Sequence, residues 1–425
     1  MLSLLTLFAC GDKEAASTPP APETVVAPPK ADGPPEPVQQ ALEGGKQDAL
    51  LLAQAWFYKD AKGNPNPGPA RLDIWRDGGE AGWAYTRLED GDSNVFHKAV
   101  PYKDGILTIG AEGAQLKYWT HAEGKWSAKT VWFKEGGWGG KFDRLRDLEI
   151  GDVDHDGVDE FVIATHDGGV VAVLEWDGSG DATVTEMDAQ ADTFVHEIEI
   201  GDIDGDGKLE FFCTPSDRNK AGASQAGGVA MYRWDGKTYV RSLVEEQHGT
   251  HAKEILATDL DGDGKTELFS VLEAEIDPDD KRKIVKPVEI RQYTYNADGT
   301  FTATAIATID DRQTRFLVPG DFDGDGTVEL VAAAFTSGLY ILEPPTEKDG
   351  TWTTTRFDQN SGGFEHAIWP ADLDGDGQLE LYVAADTQRE LKKYTWNAER
   401  KTFDKELLGR LDESVITWNI TDGSF

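Results

Sequence analysis

One acidic motif recurs five times in this chain, and its spacing limits the fold more than any other feature. GDVDHDGVDEFVIAT begins at residue 151, GDIDGDGKLEFFCTP at 201 and TDLDGDGKTELFSVL at 258; GDFDGDGTVELVAAA begins at 320 and ADLDGDGQLELYVAA at 371. Steps of 50, 57, 62 and 51 residues mark a repeat architecture. Each copy opens with a short apolar strand (HEIEI, KEILA, RFLVP), passes through the acidic turn and enters a second strand such as LEFFCT. A third strand with an aromatic tail follows, as in GGVAMYRWDGKTYVRSLV, where Asp235-Gly236 signals a hairpin into a fourth. Four strands in roughly fifty residues is the plan of a propeller blade.

Aligning the first strands finds a sixth unit without the acidic turn. VFHKAVPYKDGILTIG (95–110) runs parallel to FEHAIWPADLDGDG, with His97 opposite His366 and Pro101 opposite Pro370, and KYWTHAEGKWSAKTVWF supplies its outer hairpin. Two ends remain. Residues 48–90 contain three strands and the C-terminus one, ESVITWNITDG. Joined, they complete a seventh blade and leave no open sheet edge. The expected fold is all-β: a seven-bladed β-propeller over 48–425, closed by the C-terminal strand.

In the pattern D-x-D-x-D-G-x-x-E, alternate positions of a tight loop point inward, so carboxylates at 1, 3 and 5 converge. Glycine at 6 permits the sharp turn, the carbonyl at 7 adds an oxygen, and Glu at 9 closes the shell. An all-oxygen, flexible cage suits Ca²⁺ better than Mg²⁺, which resists dehydration, or Zn²⁺, which prefers His and Cys. The EF-hand begins the same way but needs Glu at position 12 between helices. Here position 12 is Ile163, Cys213, Ser270, Ala332 and Val383, and the flanks read as strand.

Over roughly 145–385 the pattern resembles the FG-GAP and VCBS repeat families, which include the seven-bladed propeller of integrin alpha subunits. The resemblance implies loops that join the first two strands of a blade and bind calcium. Carried onto this sequence, it gives Asp152, Asp154, Asp156 and Glu160 in the first loop, with the carbonyl of Val158. The second offers Asp202, Asp204, Asp206, Lys208 and Glu210, and the third Asp259, Asp261, Asp263, Lys265 and Glu267. The fourth offers Asp321, Asp323, Asp325, Thr327 and Glu329, and the fifth Asp372, Asp374, Asp376, Gln378 and Glu380. The FG-GAP wording itself is absent, and these loops end in Glu where integrin sites often end in Asp, which brings the chain closer to the bacterial repeats. About five structural Ca²⁺ ions are expected.

The formal charge of −37 excludes nucleic acid as a partner, because phosphates need Lys and Arg stripes. It also excludes electrostatic docking on an anionic membrane. Two cysteines, Cys10 and Cys213, cannot make a disulfide framework. Cys213 sits in an apolar run and reads as a small buried hydrophobe. The start, MLSLLTLFAC, is too short to span a bilayer but resembles the end of a bacterial lipoprotein signal (1–10), with Cys10 as the lipidation site. Phe8 and the lack of a basic n-region depart from that pattern. Residues 11–47, rich in Pro, Ala and Glu, read as an extended tether. The expected location is a bacterial cell envelope, periplasmic or outward-facing, with the membrane reached only through the anchor and the chain a monomer.

Six residues before the first Asp of each loop stand Arg146, His196, Lys253, Arg315 and His366; His97 is the counterpart in the sixth unit and Glu413 in the composite blade. Innermost strands line a propeller's channel, so these groups are candidates for a ring around the mouth opposite the calcium loops. The ring could bind an anionic or polyhydroxylated ligand, for example an acidic sugar. Alternatively it pairs internally with acids such as Asp147, Glu197 and Glu254. The longer segments 216–228 and 273–287 lie on that same face. No G-x-S-x-G, H-E-x-x-H, dinucleotide or P-loop pattern occurs. The expected function is a binding or adhesion module for a protein or glycan; a carbohydrate-active enzyme, lyase or hydrolase, is the alternative that fold analogy offers.

Overall fold

The computed structural model describes residues 47–79, 82–111, 113–133, 144–166, 168–190, 192–218, 224–347 and 350–425. Cys10 and the tether lie outside them, as does part of segment 216–228. The described residues contain no α-helix. The strands form seven sheets arranged as blades, antiparallel throughout and paired in chain order from the channel outward.

The first blade comprises Phe96–Tyr102, Gly105–Gly110, Gln115–Ala122 and Lys125–Phe133. The innermost strands of the second to sixth blades are Leu145–Gly151, Thr193–Gly201, Ala252–Thr258, Thr314–Gly320 and Ile368–Ala371. The seventh joins both ends of the chain. Val415–Ser424 is innermost, followed by Asp48–Lys59, Ala70–Asp77 and Trp83–Asp90. Leu52 faces Ile420 and Leu51 faces Thr421 in this closing ladder, and Gln47 and Phe425 exchange two backbone hydrogen bonds of 3.1 Å. The expected closure is therefore observed. Two small ribbons were not anticipated: Pro65–Pro67 folds back on the end of the first strand, and Glu275–Ile276 pairs with Ile284–Lys286 inside the segment read as a loop.

The apolar alternation explains how blades stack. One face of each second strand meets the preceding blade and the other the next, so both are largely apolar. Leu107, Ile109 and Leu116 of the first blade pack with Leu148, Phe161 and Ile163 of the second. Val162 and Val173 of the second blade meet Ile198, Phe211 and Cys213 of the third in the same way. Each fully buried side chain of this size stabilises by about 1.5–3 kcal/mol. All five acidic loops join innermost to second strands, which places them on one face of the ring. In the first blade a short turn at Lys103, with φ 50°, takes their place.

Candidate metal loops and the central channel

Each loop is shaped before any ion is considered. In the second, Asp202 accepts the amides of Gly205 (2.8 Å), Asp206 (3.2 Å) and Gly207 (2.8 Å), and Asp206 accepts that of Lys208 at 3.0 Å. The position-7 amides of Val158, Lys265, Thr327 and Gln378 bond Asp156, Asp263, Asp325 and Asp376 alike. The glycines at position 6 all have positive φ, from 80° at Gly207 to 90° at Gly157 and Gly377. Position 4 does too, at 73–75° for its four glycines, whereas in the first loop His155 adopts 67°. A non-glycine residue there carries a modest strain.

Ligand oxygens from Asp321, Asp323, Asp325 and Glu329 lie within 4.8 Å of one another in the fourth loop. Asp152, Asp154 and Glu160 converge likewise in the first loop, and Asp372, Asp374 and Glu380 in the fifth. In the second and third loops the converging sets are the three aspartates Asp202, Asp204, Asp206 and Asp259, Asp261, Asp263. The ninth-position glutamates are held at one oxygen. Oε2 accepts the amide of Val153 from Glu160 (3.0 Å), of Ile203 from Glu210 (3.2 Å), of Leu260 from Glu267 (2.8 Å) and of Phe322 from Glu329 (3.0 Å). Glu160 and Glu329 converge with the aspartates, whereas Oε1 of Glu210 accepts from Arg233 at 2.8 Å. Burial first, then neighbouring aspartates, pushes the carboxyls of Glu160 and Glu329 up to about 7. Buried acids that resist ionisation when bare are what a divalent cation relieves. The donor set, oxygen alone, fits calcium.

Five of the six ring residues share a backbone cause. In the first blade Phe96 pairs with Gly110 and Lys98 with Ile109, so His97 is an extra residue. Arg146, Lys253 and Arg315 are extra in the same way, and His196 lies within the corresponding irregularity between Val195 and Ile198. A β-bulge re-aims one side chain at each strand entry. His366 takes φ 58° just before its strand. In the seventh blade the extra residue is Trp418, between Thr417 and Asn419. Glu413 does not join the ring: it is exposed and pairs with Arg389 at 3.0 Å.

The ring is closed on itself. Arg146 of the second blade bonds Glu197 of the third at 3.1 Å and approaches Glu365, beside the sixth, at 4.0 Å, with Trp418 under its guanidinium. Arg315 also binds Glu365 and lies 3.6 Å from Glu273. His97 donates from Nδ1 to the Leu145 carbonyl and His366 to that of Ala334, both at 2.7 Å, while Ser361 lies 2.8 Å from His366 Nε2. His196 bonds Ser216 at 2.9 Å, with the Lys253 ammonium 3.2 Å from Nδ1. Burial foremost holds all three imidazoles well below their ordinary value, His366 at about 4, and lowers the Lys253 amine to about 7.

A cavity of about 370 Å³ runs along the innermost strands. It extends toward the loop face as far as Pro319 and Pro370, two residues before Asp321 and Asp372. Asp147, Glu149, Glu197, Glu199 and Glu254 form an acidic arc with Lys98 among them, and Phe316, Val318 and Trp369 form an apolar arc. Lys98 bridges Asp147 (2.9 Å) and Glu149. Burial and mutual repulsion raise Glu199 and Glu254 well above the usual carboxylate range. Sequence reasoning offered Asp147, Glu197 and Glu254 only as partners for the ring and missed Glu149 and Glu199, although RDLEI and HEIEI put acids at alternate positions of an innermost strand, all on one side. It also missed Glu273, Glu365 and His251, whose places depend on loops between blades.

A model described as FG-GAP-like repeat matches residues 152–213, 259–332 and 321–383. No curated protein matches the chain. Among solved structures, the Pseudomonas aeruginosa periplasmic gluconolactonase is similar at TM-score 0.53 and 11% identity, covering 88% of this chain and 98% of its own. A Bacteroides fragilis protein described as a candidate 6-phosphogluconolactonase matches at 0.53 and 12%, covering 90% and 99%. A Lactobacillus plantarum protein matches at 0.52 and 12%, covering 89% and 99%. At such identity the likeness is one of fold.

Proposed function

We propose that this seven-bladed propeller of FG-GAP-like repeats is a calcium-stabilised binding module of a bacterial envelope. Lipid on Cys10 and the segment 11–47 would tether it, and a glycan or protein would be its partner. The observation that carries the reading is the repetition of one oxygen-only loop geometry on a single face. A catalytic ion keeps an open position at one special site; five loops of like chemistry speak for structure. Five Ca²⁺ ions, ten positive charges, would bring the formal charge from −37 to about −27, where repulsion is greatest. Ion binding then contributes folding energy.

The internally paired mouth and the acidic arc favour neutral, polyhydroxylated or cationic ligand groups over an acidic sugar. Thermal unfolding in calcium and in EGTA tests the scaffold. One site at a hundred times its Kd contributes about 2.7 kcal/mol, so five should raise the midpoint by at least about 10 °C; an unchanged transition refutes structural calcium. A glycan array with the wild type and Glu254→Gln tests the ligand. The raised carboxyls of Glu199 and Glu254 favour one rival, a sugar-active enzyme, and reducing ends released from arrayed sugars would establish it.

A further inference from the structure

The five loops differ in what faces the ninth-position glutamate across the sheet. Phe161 pairs with Leu174 and Leu330 with Leu342, so Glu160 and Glu329 stand opposite Glu175 and Glu343. Glu380 faces Thr395 directly, and Glu267 stands opposite Thr294. In the fifth loop Lys393 also comes within 3.7 Å of Asp374 and 3.8 Å of Glu380 Oε1. In the second loop the directly opposed partner is itself a cation. Phe211 pairs with Tyr232, which sets Arg233 opposite Glu210.

Arg233 uses that position. Its Nε donates to Glu210 Oε1 at 2.8 Å and its terminal nitrogen to Asp204 Oδ2 at 2.8 Å. The guanidinium carbon lies 5.7 Å from the Tyr295 ring of the next blade. With Oε2 on the Ile203 amide and Oε1 on Arg233, both oxygens of Glu210 are engaged. In the first and fourth loops Oε1 has no such donor, and the glutamate belongs to the converging set.

We propose that Arg233 is the resident counter-cation of the second loop, making it a weaker calcium site than the first and fourth, filled after them and emptied before them. The inference rests on the calcium reading of the loops. An entering ion must displace a two-point, charge-assisted contact and then sit beside a positive charge. The first and fourth loops instead present an additional carboxylate. The first and fourth loops would thus keep their ions at calcium concentrations at which the second empties.

Equilibrium dialysis of the full chain with radiolabelled calcium tests this. Arg233→Gln should tighten one weak site of the wild type by about tenfold or more in affinity. Arg233→Lys, which keeps the charge, should stay weak. Melting separates this from a merely structural role: Arg233→Gln should melt below wild type in EGTA but with it in saturating calcium. Equal counts and affinities in wild type and Arg233→Gln overturn the proposal while leaving the calcium reading intact, as does an equal loss of melting temperature in both conditions. Failure of either protein to bind calcium overturns both.

Discussion

Replacing His366 with Asn should cost stability at neutral pH and cost less in mild acid. The imidazole is fully buried, donates to the Ala334 carbonyl and bonds Ser361, and adopts a left-handed φ of 58° that Asn tolerates. Two lost hydrogen bonds at about 1 kcal/mol each, with some packing, put the deficit near 2–3 kcal/mol at pH 7.5. The pH dependence follows from linkage. Burial holds the folded imidazole at about 4 against an ordinary 6.5. Between those values the unfolded chain takes up a proton that the folded chain refuses, so acid favours unfolding. From pH 7.5 to 5.5 the wild type loses about 1.3 kcal/mol through this group, and the Asn variant loses nothing. Urea unfolding followed by tryptophan fluorescence, in saturating calcium at both pH values, gives the two deficits. Other titrating groups cancel in the difference. The deficit should shrink by about half on going to pH 5.5. A deficit that stays constant would mean that His366 titrates alike in both states and is not sealed between blades.

Glu365→Gln leaves Arg146 and Arg315 without the carboxylate they share, and should lower stability by roughly 3–5 kcal/mol in the same assay. Glu413→Gln, which breaks an exposed pair, should stay within about 0.5 kcal/mol. In a Cys10→Ser chain, Cys213 should resist a thiol reagent at pH 8 until denaturant is added, because burial pushes its thiol up to about 12; native labelling would refute the blade-interface packing of this residue.

The blades and loops were legible because their information is local. A loop such as 202–210 declares its geometry through spacing, and HEIEI declares a strand through alternation. The seventh blade was legible because each end of the chain lacked strands that the other supplied. The ring was legible only as a register. Sequence placed His97, Arg146, His196, Lys253, Arg315 and His366 at one level and offered Glu197, which Arg146 does pair, but not the other partners, which come from other blades: Leu145 for His97, Glu365 for Arg146 and Arg315. Trp418 escaped because its equivalence depends on a bulge opposite Ala53 and Gln54, visible only once the closing strands are paired. Glu413 was chosen in its place by counting along a strand whose entry had no loop to anchor the count. Arg233 escaped for a similar reason: its distance from Glu210 is set by a hairpin of the third blade, not by the motif.

These placements close one end of the channel. Arg146 and Glu365 approach each other from opposite parts of the ring, and Arg315 fastens the same carboxylate, so the mouth away from the loops is filled by its own side chains. The cavity lies on the loop side of that plug, between Glu199 and Glu254 on one arc and Phe316 and Trp369 on the other. On the binding-module reading proposed above, a ligand would reach it past the acidic loops. If those loops are structured by calcium, the ions that hold the blades also shape the rim of the entrance, and ligand affinity and calcium occupancy are linked through one face. The second loop, guarded by Arg233, would then feel a fall in calcium at that rim before the first and fourth do.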